Sequence, residues 1–413
     1  MPEILELIYT GLPIETVIEL PGSKSLSNRI LMLEYLSGNR IKGKDHSDAE
    51  DTQNLRKILT DLPRIADAGE GGTTSRFALA ALAATPSYEG ILKGSYRLSQ
   101  RPISELVDAL RQLGADLTYL EKENQLPILI KGTHLKGKSI KTSGSISSQF
   151  LSALLILGAS LPEGLEITVQ GSLVSRPYSE MTIKLLRHLG VKINQENQVF
   201  TIQSFEWAAH QVLIEKDWSS ASYWYSIVAL APKANVFLKG LNLTSLQGDR
   251  LTANIFSLLG VATKQQEEGI QLEKTNQQVD FFRFDCIDQP DIAQTLAVTL
   301  TGLRMRGHLT GLKTLRGKET DRIEALKHEL QKLNVTITEP EEGELYIDAR
   351  FADFSKLVLI NTYNDHRMAL AFAPLVVKVY KLAIRNPKVI EKSYPNFWIE
   401  LRKADVSLTE YEF

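Results

Sequence analysis

The sequence predicts a mixed α/β protein built from a repeated unit, and one recurring pattern supports this prediction. An amphipathic helix ends in a hydrophobic residue followed by glycine and a small residue, and a short apolar run comes next. The last copy has asparagine in place of the glycine. The equivalent positions are 76, 70 and 74 residues apart and are Gly114, Gly190, Gly260 and Asn334. This spacing is too long for a solenoid repeat, but it fits a repeated βαβ-type unit.

Two further amphipathic stretches predict helices at 51–62 and 394–403, before and after these copies, so that the chain holds about six units. The first unit is predicted to be shortened, because few residues separate the 51–62 helix from the glycine cluster at 69–72. Gly114 stands where a left-handed residue would end its helix. No linker rich in Pro, Gly or Ser separates the units.

The composition is that of a globular protein with more than one domain. The 413 residues include 47 Lys and Arg against 49 Asp and Glu, for a net charge of −2. At about 100–200 residues per domain, the length predicts two to four domains. The near-neutral balance excludes general nucleic-acid binding, which needs an excess of cations. The single cysteine, Cys286, excludes an internal disulfide framework and a multi-cysteine zinc site.

The first twenty residues do not resemble a targeting signal, because Glu3 and Glu6 stand where a signal peptide has Lys or Arg. The longest apolar stretches, such as 368–377, are far shorter than the roughly 20 residues that cross a bilayer. We therefore expect a cytoplasmic protein that does not bind membranes.

The segment 20–38 places small and basic residues at the start of a predicted helix. Lys24, Ser25 and Arg29 lie beside the free backbone N–H groups of its first turn, an arrangement that binds anions. A plain helix cap followed by a solvated lysine explains this segment equally well. The spacing of a Walker P-loop is absent.

Two more segments open predicted helices with polar residues. The loop 67–77 has three glycines and two threonines, which let the backbone approach a ligand, although a simple turn is the commoner explanation. The segment 143–158 places Ser147, Ser148 and Gln149 before an apolar run, and capping accounts for only one of the three.

Charged residues near other predicted helix starts are further candidates. Lys318 and Arg322 lie four residues apart, on one face of a helix, beside Glu319. The remaining candidates are Asp291, Arg367 and Lys392. Taken singly, each of these residues is explained by a surface ion pair or by a cap.

Together these motifs resemble the EPSP synthase (3-phosphoshikimate 1-carboxyvinyltransferase) family. The resemblance runs from PGSKSLSNR at 21–29 to KSYP at 392–395, and it includes RPISELVDAL, SSQFLSALL, DWSSASYW, KETDRI and NDHRMAL. It implies a fold of two globular domains, each with three βαβαββ units. We expect one domain to comprise 1–20 with 216–413, and the other, on the shikimate-phosphate side, to comprise 21–215.

The resemblance implies transfer of the enolpyruvyl group of phosphoenolpyruvate to the 5-hydroxyl of shikimate 3-phosphate, with release of phosphate. This reaction belongs to the shikimate pathway, which leads to chorismate and the aromatic amino acids. It proceeds by addition and elimination through a tetrahedral intermediate, without a metal or organic cofactor. A proton must reach the methylene carbon and another must leave the hydroxyl, which requires acid–base groups. The implied catalytic residues are Asp291, Glu319 and Lys24.

The same motif matching implies the binding residues. For shikimate 3-phosphate they are Lys24, Ser25, Arg29, Ser147, Ser148, Gln149, Ser175, Asp291 and Lys318. For phosphoenolpyruvate they are Lys24, Gly72, Arg101, Gln149, Arg322, Arg367 and Lys392. The two substrates bring on the order of five to six negative charges, against seven cations in these sets, so a neutral total is compatible with a basic site. We expect a monomer with these small molecules as its only partners.

Three alternatives are weighed against this interpretation. An enolpyruvyl transferase acting on UDP-N-acetylglucosamine typically has Asn after the lysine and a loop cysteine, whereas Ser25 follows Lys24 and Cys286 lies far from Arg101. A non-catalytic anion-binding paralogue conflicts with the retained acidic residues, although Glu70 in the glycine loop and the short first unit leave it open. Activity like that of RNA 3′-phosphate cyclase fits poorly with the near-neutral charge.

Overall fold

The computed structural model of the chain describes residues 3–136, 138–143, 147–171 and 173–412. Residues 144–146 of the predicted serine-rich segment lie outside the described residues. The chain forms two compact units, of which unit 1 comprises Met1–Pro21 with Glu215–Phe413, and unit 2 comprises Gly22–Ile214.

The helices and strands alternate along the whole chain. The α-helices are α1 Lys24–Leu36, α2 Glu50–Asp61, α3 Gly72–Ala83, α4 Tyr96–Ser99, α5 Ser104–Gln112, α6 Ser148–Ser160, α7 Arg176–His188, α8 Trp218–Leu230, α9 Thr252–Ser257, α10 Ala293–Gly302, α11 Arg322–Gln331, α12 His366–Phe372 and α13 Phe397–Arg402. Short 3-10 helices are Gly248–Leu251, Pro290–Ile292, Lys313–Leu315, Ala373–Val377 and Pro387–Lys392. The strands are β1 Glu3–Tyr9, β2 Ile14–Glu19, β3 Ile41–Lys44, β4 Ile65–Asp67, β5 Glu89–Lys93, β6 Asp116–Tyr119, β7 Ile128–Lys131, β8 Ser139–Ser143, β9 Leu165–Gln170, β10 Ile193–Glu196, β11 Val199–Ile202, β12 His210–Leu213, β13 Ala234–Lys239, β14 Val261–Gln266, β15 Gly269–Lys274, β16 Phe281–Asp285, β17 Arg306–Thr310, β18 Thr336–Thr338, β19 Leu345–Asp348, β20 Leu357–Ile360, β21 Lys381–Arg385 and β22 Val406–Glu412.

Within the described residues, five sheets have four strands each and share one pairing pattern. A parallel pair forms one edge, and the next two neighbours are antiparallel. In unit 2 the orders are β4-β5-β7-β6 and β10-β11-β9-β8; in unit 1 they are β14-β15-β13-β2, β16-β17-β19-β18 and β20-β21-β1-β22. The remaining sheet is the parallel pair β12-β3 in unit 2. This short sheet agrees with a shortened first unit, while the count of six repeats stays a prediction.

Apolar helices form the centre of each unit. In unit 2, α3 and α6 pack together and are buried over almost their whole length. In unit 1, the buried helices α8, α10 and α12 take the same place. A helix that is apolar on all sides must be covered all round, and the sheets of each unit pack on these helices. The first turns of several of them carry the candidate site residues.

The helix ends confirm the pattern from which the fold was predicted. All four equivalent positions have a left-handed backbone, with φ of +92° at Gly114, +98° at Gly190, +86° at Gly260 and +58° at Asn334. Asparagine is the residue other than glycine that best tolerates this conformation. The helix predicted at 394–403 begins later, at Phe397.

Candidate active site

Lys24 begins α1 in unit 2 and is paired with one carboxylate. Ser23 caps the helix by accepting a hydrogen bond from the N–H of Leu26. Nζ of Lys24 lies 2.9 Å from Oδ2 of Asp51, and the two side chains are 19% and 6% exposed. The ammonium group is therefore held at a helix N-terminus while it remains accessible, which suits an anionic ligand.

Arg101 lies directly against Gly72, the first residue of α3. A Cβ on Gly72 would lie 2.8 Å from each terminal nitrogen of Arg101, so only glycine lets the guanidinium approach this closely. A Cβ on the preceding Gly71 would lie 3.0 Å from Oδ1 of Asp51, the partner of Lys24. The glycine loop thus brings Arg101 and the Lys24 ion pair to the same end of α3.

Arg29 joins three helices of unit 2 and is only 3% exposed. Its Nε donates to Oγ1 of Thr182 at 2.7 Å, and its Nη2 donates to Oγ of Ser152 at 3.0 Å and to the carbonyl of Tyr178 at 2.8 Å. Its Nη1 donates to the carbonyl of Ser25 at 2.6 Å. Burial lowers the pKa of Arg29 to about 9, so the side chain stays protonated at neutral pH. These contacts give Arg29 a structural role beside the predicted binding role.

The predicted serines lie at the starts of α6 and α7. Ser147 is the N-cap of α6 and accepts a hydrogen bond from the N–H of Gln149 at 3.3 Å. Ser148 and Ser175 are 9% and 8% exposed, and Ser175 precedes α7 with a φ of +54°. Because Arg29 ties α1 to α6 and α7, it brings the first two turns of the three helices together. The N–H groups there are suitable donors to a phosphate.

Arg322 is the centre of the candidate site in unit 1. Its Nε lies 2.7 Å from Oδ2 of Asp365, and its Nη2 lies 2.9 Å from Oε2 of Glu319. Its Nη1 is buried without a hydrogen bond, 3.7 Å from Oδ1 of Asp291. Burial acts to lower the pKa of Arg322, but the charges of Asp365 and Glu319 outweigh it and raise the pKa. The structure therefore brings together Asp291, Glu319 and Arg322, which come from separate sequence motifs.

Two more predicted cations join this network. Nη2 of Arg367 lies 2.7 Å from Oδ2 of Asp291, and its Nη1 donates to the Asp291 carbonyl at 3.0 Å and to the Tyr223 hydroxyl at 3.2 Å. Nζ of Lys392 lies 3.0 Å from Oε1 of Glu319. The network thus alternates carboxylates with cations, and its hydrogen bonds fix Arg367 in place.

The accessibility of the carboxylates separates their roles. The side chain of Asp365 is 0% exposed, that of Glu319 is 10% exposed and that of Asp291 is 21% exposed. Of these three carboxylates, Glu319 and Asp291 are therefore accessible to a ligand, and Asp365 is not. Three carboxylates balance Arg322, Arg367 and Lys392, so the sequence count of cations overstated the excess charge. Lys318 is half-buried in the loop before α11.

Sequence reasoning did not assign roles to three residues of these networks. Asp51 and Asp365 each hold a predicted cation, and both precede or begin a helix, where an acidic residue is usually only a cap. Tyr223 lies in the apolar helix α8, where nothing in the sequence distinguishes it from the surrounding core. The location of the two aspartates at the start of a predicted helix was the only sequence feature that set them apart.

Other possible sites are limited in the part of the chain that the structure describes. No three His, Cys, Asp or Glu side chains there are grouped so that they could hold a metal ion. No described helix is both long enough and apolar enough to span a membrane. Cys286 is a free, fully buried thiol whose pKa is raised by burial.

The fold is that of the enolpyruvyl transferases. The structure superposes on an EPSP synthase from Acinetobacter baumannii with a TM-score of 0.78, at 19% identity and with 100% of each chain covered. It superposes on the enolpyruvyl transferase NikO from Streptomyces tendae with a TM-score of 0.73, at 16% identity, covering 100% of this chain and 99% of the other. At these identities the likeness concerns the fold alone, and it confirms the predicted fold class.

The chain belongs to the EPSP synthase (3-phosphoshikimate 1-carboxyvinyltransferase) family, whose sequence profile matches residues 56–401. A 3-phosphoshikimate 1-carboxyvinyltransferase of Bacteroides fragilis is 42% identical over 392 residues, which are 95% of each chain. One from Pasteurella multocida is 35% identical, with 93% of this chain and 94% of the relative covered. The family predicted from the motifs is thereby confirmed, and it is a family of transferases.

Proposed function

We propose that this protein transfers the enolpyruvyl group of phosphoenolpyruvate to the 5-hydroxyl of shikimate 3-phosphate and releases phosphate. The observation that carries the proposal is the network in unit 1, where Asp291 and Glu319 contact Arg322 and remain accessible. The family and the homologues support the same reaction. The product is the enolpyruvyl ether of shikimate 3-phosphate, an intermediate of the shikimate pathway.

The unit 1 network suits the phosphoenolpyruvate side of the reaction. We propose that Arg322, Arg367 and Lys392 bind the anionic groups of phosphoenolpyruvate, because planar guanidinium groups match carboxylates and phosphates in bidentate geometry. The unsatisfied Nη1 of Arg322 supports this role, since a buried cationic donor without a hydrogen bond gains most from an anionic group that moves within reach. Asp365 holds Arg322 in place and takes no part in proton transfer.

The groups proposed to carry out the proton transfers are Asp291, Glu319 and Lys24. We propose that Asp291 orients and deprotonates the 5-hydroxyl, and that Glu319 exchanges a proton with the methylene carbon during addition and elimination. Contacts from Arg322 and Lys392 hold the Glu319 carboxyl group in place for this exchange. Glu319 would give its proton to the methylene carbon during addition and take one back during elimination, while Asp291 passes the hydroxyl proton to the departing phosphate. Lys24 completes the proposed set by contacting both substrates.

The helix starts of unit 2 suit shikimate 3-phosphate. We propose that Ser147, Ser148 and Ser175, with the N–H groups beside them, bind its phosphate. Lys24, Ser25, Gln149, Asp291 and Lys318 complete the proposed set, with Arg29 ordering the helices as well as binding. Arg101 and Gly72 are proposed to contact phosphoenolpyruvate.

Phosphate release from phosphoenolpyruvate tests the proposal. Release is expected with shikimate 3-phosphate and not with UDP-N-acetylglucosamine. Folded protein that binds shikimate 3-phosphate in calorimetry without releasing phosphate would be a non-catalytic anion-binding member of the family, and the proposal would be wrong. Release with the nucleotide sugar alone would also overturn it.

Two variants test the assigned residues. Lys24→Met and Glu319→Gln are each expected to lower turnover by roughly two or more orders of magnitude, because each removes a group that acts on the reacting atoms. Glu342→Gln is the matched control, since Glu342 forms an exposed ion pair with Lys313. Near-normal turnover in either test variant would show that its role is misassigned. Action in the cytoplasm and as a monomer stay predictions.

A further inference from the structure

Glu329 is a buried carboxylate that the proposed chemistry does not use. It lies on α11, seven residues after Arg322, and its side chain is 0% exposed. Lys332 pairs with it and also donates to the carbonyl of Leu359 at 2.8 Å. A buried carboxylate is costly unless several donors satisfy it, and Glu329 has further donors besides Lys332.

Those partners belong to the loop 361–364, which leads directly into Asp365. Oε2 of Glu329 accepts a hydrogen bond from the backbone N–H of Asn361 at 3.1 Å. Oε1 accepts from Nδ2 of Asn361 at 3.3 Å and from the Tyr363 hydroxyl at 2.7 Å. Three bonds from one carboxylate therefore hold the loop onto α11.

The loop has a backbone that needs such support. Tyr363 and Asn364 are successive left-handed residues, with φ of +53° and +56°. A left-handed conformation is unfavourable for a non-glycine residue, least so for asparagine and most for a bulky side chain such as tyrosine. The bond from the Tyr363 hydroxyl to Glu329 offsets part of this cost. Burial and this bond also raise the pKa of the Tyr363 hydroxyl.

Helix α11 consequently contacts the loop 361–364 and the following residue, Asp365, through two of its side chains. Arg322, at the first residue of the helix, pairs with Asp365, and Glu329, two turns later, binds Asn361 and Tyr363. Asp365 in turn accepts from the backbone N–H of Arg367 at 2.9 Å and thereby caps α12. The placement of Arg367 thus depends on both contacts.

We propose that Glu329 is a positioning residue that fixes the loop 361–364 and, through it, Asp365 and Arg367 for phosphoenolpyruvate binding. The inference rests on the proposed function, because it assigns the affected contacts to that substrate. A purely structural role would instead lower stability without a selective effect on one substrate. The two roles are separable by measurement.

Two variants and a matched control make the test. Glu329→Gln removes the negative charge to which all three loop bonds are made, and charge-assisted hydrogen bonds are roughly twice as strong as neutral ones, so the hold on the loop is weakened. Tyr363→Phe removes only the hydroxyl. The control is Glu400→Gln, because Glu400 is 8% exposed, pairs with a lysine three residues later and accepts from one backbone N–H, that of Glu19. It has no bond to the loop.

The first readout is steady-state kinetics of phosphate release. Glu329→Gln is expected to raise the KM for phosphoenolpyruvate about tenfold, and Tyr363→Phe about threefold, with the KM for shikimate 3-phosphate unchanged. Glu400→Gln should lower the melting temperature without changing either KM. If both test variants change the two KM values equally, or change only the melting temperature, the inference is wrong.

The second readout is hydrogen exchange of peptides covering 361–367 in the full chain. Exchange is expected to be about tenfold faster in Glu329→Gln and unchanged in Glu400→Gln. Unaltered exchange in Glu329→Gln and Tyr363→Phe overturns the inference, and Tyr363→Phe alone decides if the first variant does not fold. Wild-type protein without phosphate release would overturn the proposed function instead, while the exchange result would still report on the loop.

Discussion

Arg322 and Asp365 form a buried ion pair in which Nε lies 2.7 Å from Oδ2, with side chains only 2% and 0% exposed. A second bond from Nη2 to Oδ1, at 3.2 Å, makes the pair bidentate. Glu319 shares the same guanidinium, and Nη1 is left without a hydrogen bond. Asp365 therefore fixes the orientation of Arg322 and leaves its Nη1 buried, 3.7 Å from Oδ1 of Asp291.

Loss of this pair should reduce stability strongly. Asp365→Asn leaves Arg322 buried with one carboxylate fewer, and breaking a buried ion pair costs about 3–5 kcal/mol. Urea unfolding followed by tryptophan fluorescence measures the effect, since Trp218, Trp224 and Trp398 lie in unit 1.

The exposed ion pair of Lys313 and Glu342 provides the control, with side chains 71% and 70% exposed. Glu342→Gln should leave the unfolding midpoint nearly unchanged, because exposed pairs contribute little. An equal, small effect of the two substitutions would mean that the buried pair is not needed to hold Arg322.

Removal of the partner of Lys24 should lower activity without unfolding the protein. Asp51→Asn keeps the shape of the side chain but releases the ammonium group, so that Lys24 is no longer fixed at 2.9 Å from a carboxylate. We expect kcat/KM for both substrates to fall about 10- to 100-fold, the effect of a misplaced catalytic group. Asp48→Asn, at an exposed position three residues earlier, is the control. Full activity of Asp51→Asn would show that Lys24 needs no such partner.

A methyl group on Gly72 should displace Arg101. The Cβ would lie 2.8 Å from both terminal nitrogens, and because these end a flexible side chain, Arg101 moves rather than α3. We expect Gly72→Ala to raise the KM for phosphoenolpyruvate about tenfold, equivalent to ~1.4 kcal/mol of lost contact, with little change in melting temperature.

A double-mutant cycle checks this cause. If Gly72→Ala acts through Arg101, then adding Arg101→Ala to it should cost much less than Arg101→Ala alone. Independent, additive effects on the KM would exclude displacement of Arg101 as the cause.

The regular part of the fold could be predicted because its signals are local. The hydrophobic-glycine-small sequence at the end of each amphipathic helix predicts a left-handed residue at Gly114 and its equivalents. The spacing of these positions also identifies Asn334, where the glycine is absent. The pairing order of the sheets could not be predicted in this way, since it depends on contacts between distant segments. For example, β1 completes a sheet with β21 and β22 at the other end of the chain.

The sequence motifs named most residues of these ion-pair networks but not how they pair. The motifs gave Lys24, Arg322 and Arg367, whereas the carboxylates that hold them lie 27, 43 and 76 residues away. A sequence count of cations consequently did not pair them with their acids, and two of these acids, Asp51 and Asp365, had no assigned role. Glu329 and Tyr363 were missed for the same reason, because a bond across 34 residues leaves no local pattern.

Asp249 makes the free energy of unfolding of the protein depend on pH. It accepts a hydrogen bond from the hydroxyl of Ser219 and is 4% exposed. Burial, and then the charge of Asp291, raises the pKa of Asp249 from 3.8 to about 6. Since the folded state holds this proton more tightly than the unfolded state, ionisation of Asp249 above pH 6 lowers the free energy of unfolding. The free energy of unfolding rises again as the pH falls from about 6 towards 3.8, because Asp249 becomes protonated in the folded state first.

Asp249→Asn removes this ionisation and should therefore stabilise the protein at pH 7.5. The gap between the two pKa values corresponds to about 3 kcal/mol, an upper bound on the gain. The difference in free energy of unfolding between the variant and the wild type should shrink as the pH falls through 6 and disappear near pH 4. Urea unfolding at several pH values measures it, and comparison at each pH cancels the titration of all other groups. A difference that is independent of pH, or that grows as the pH falls, would contradict a raised pKa for Asp249.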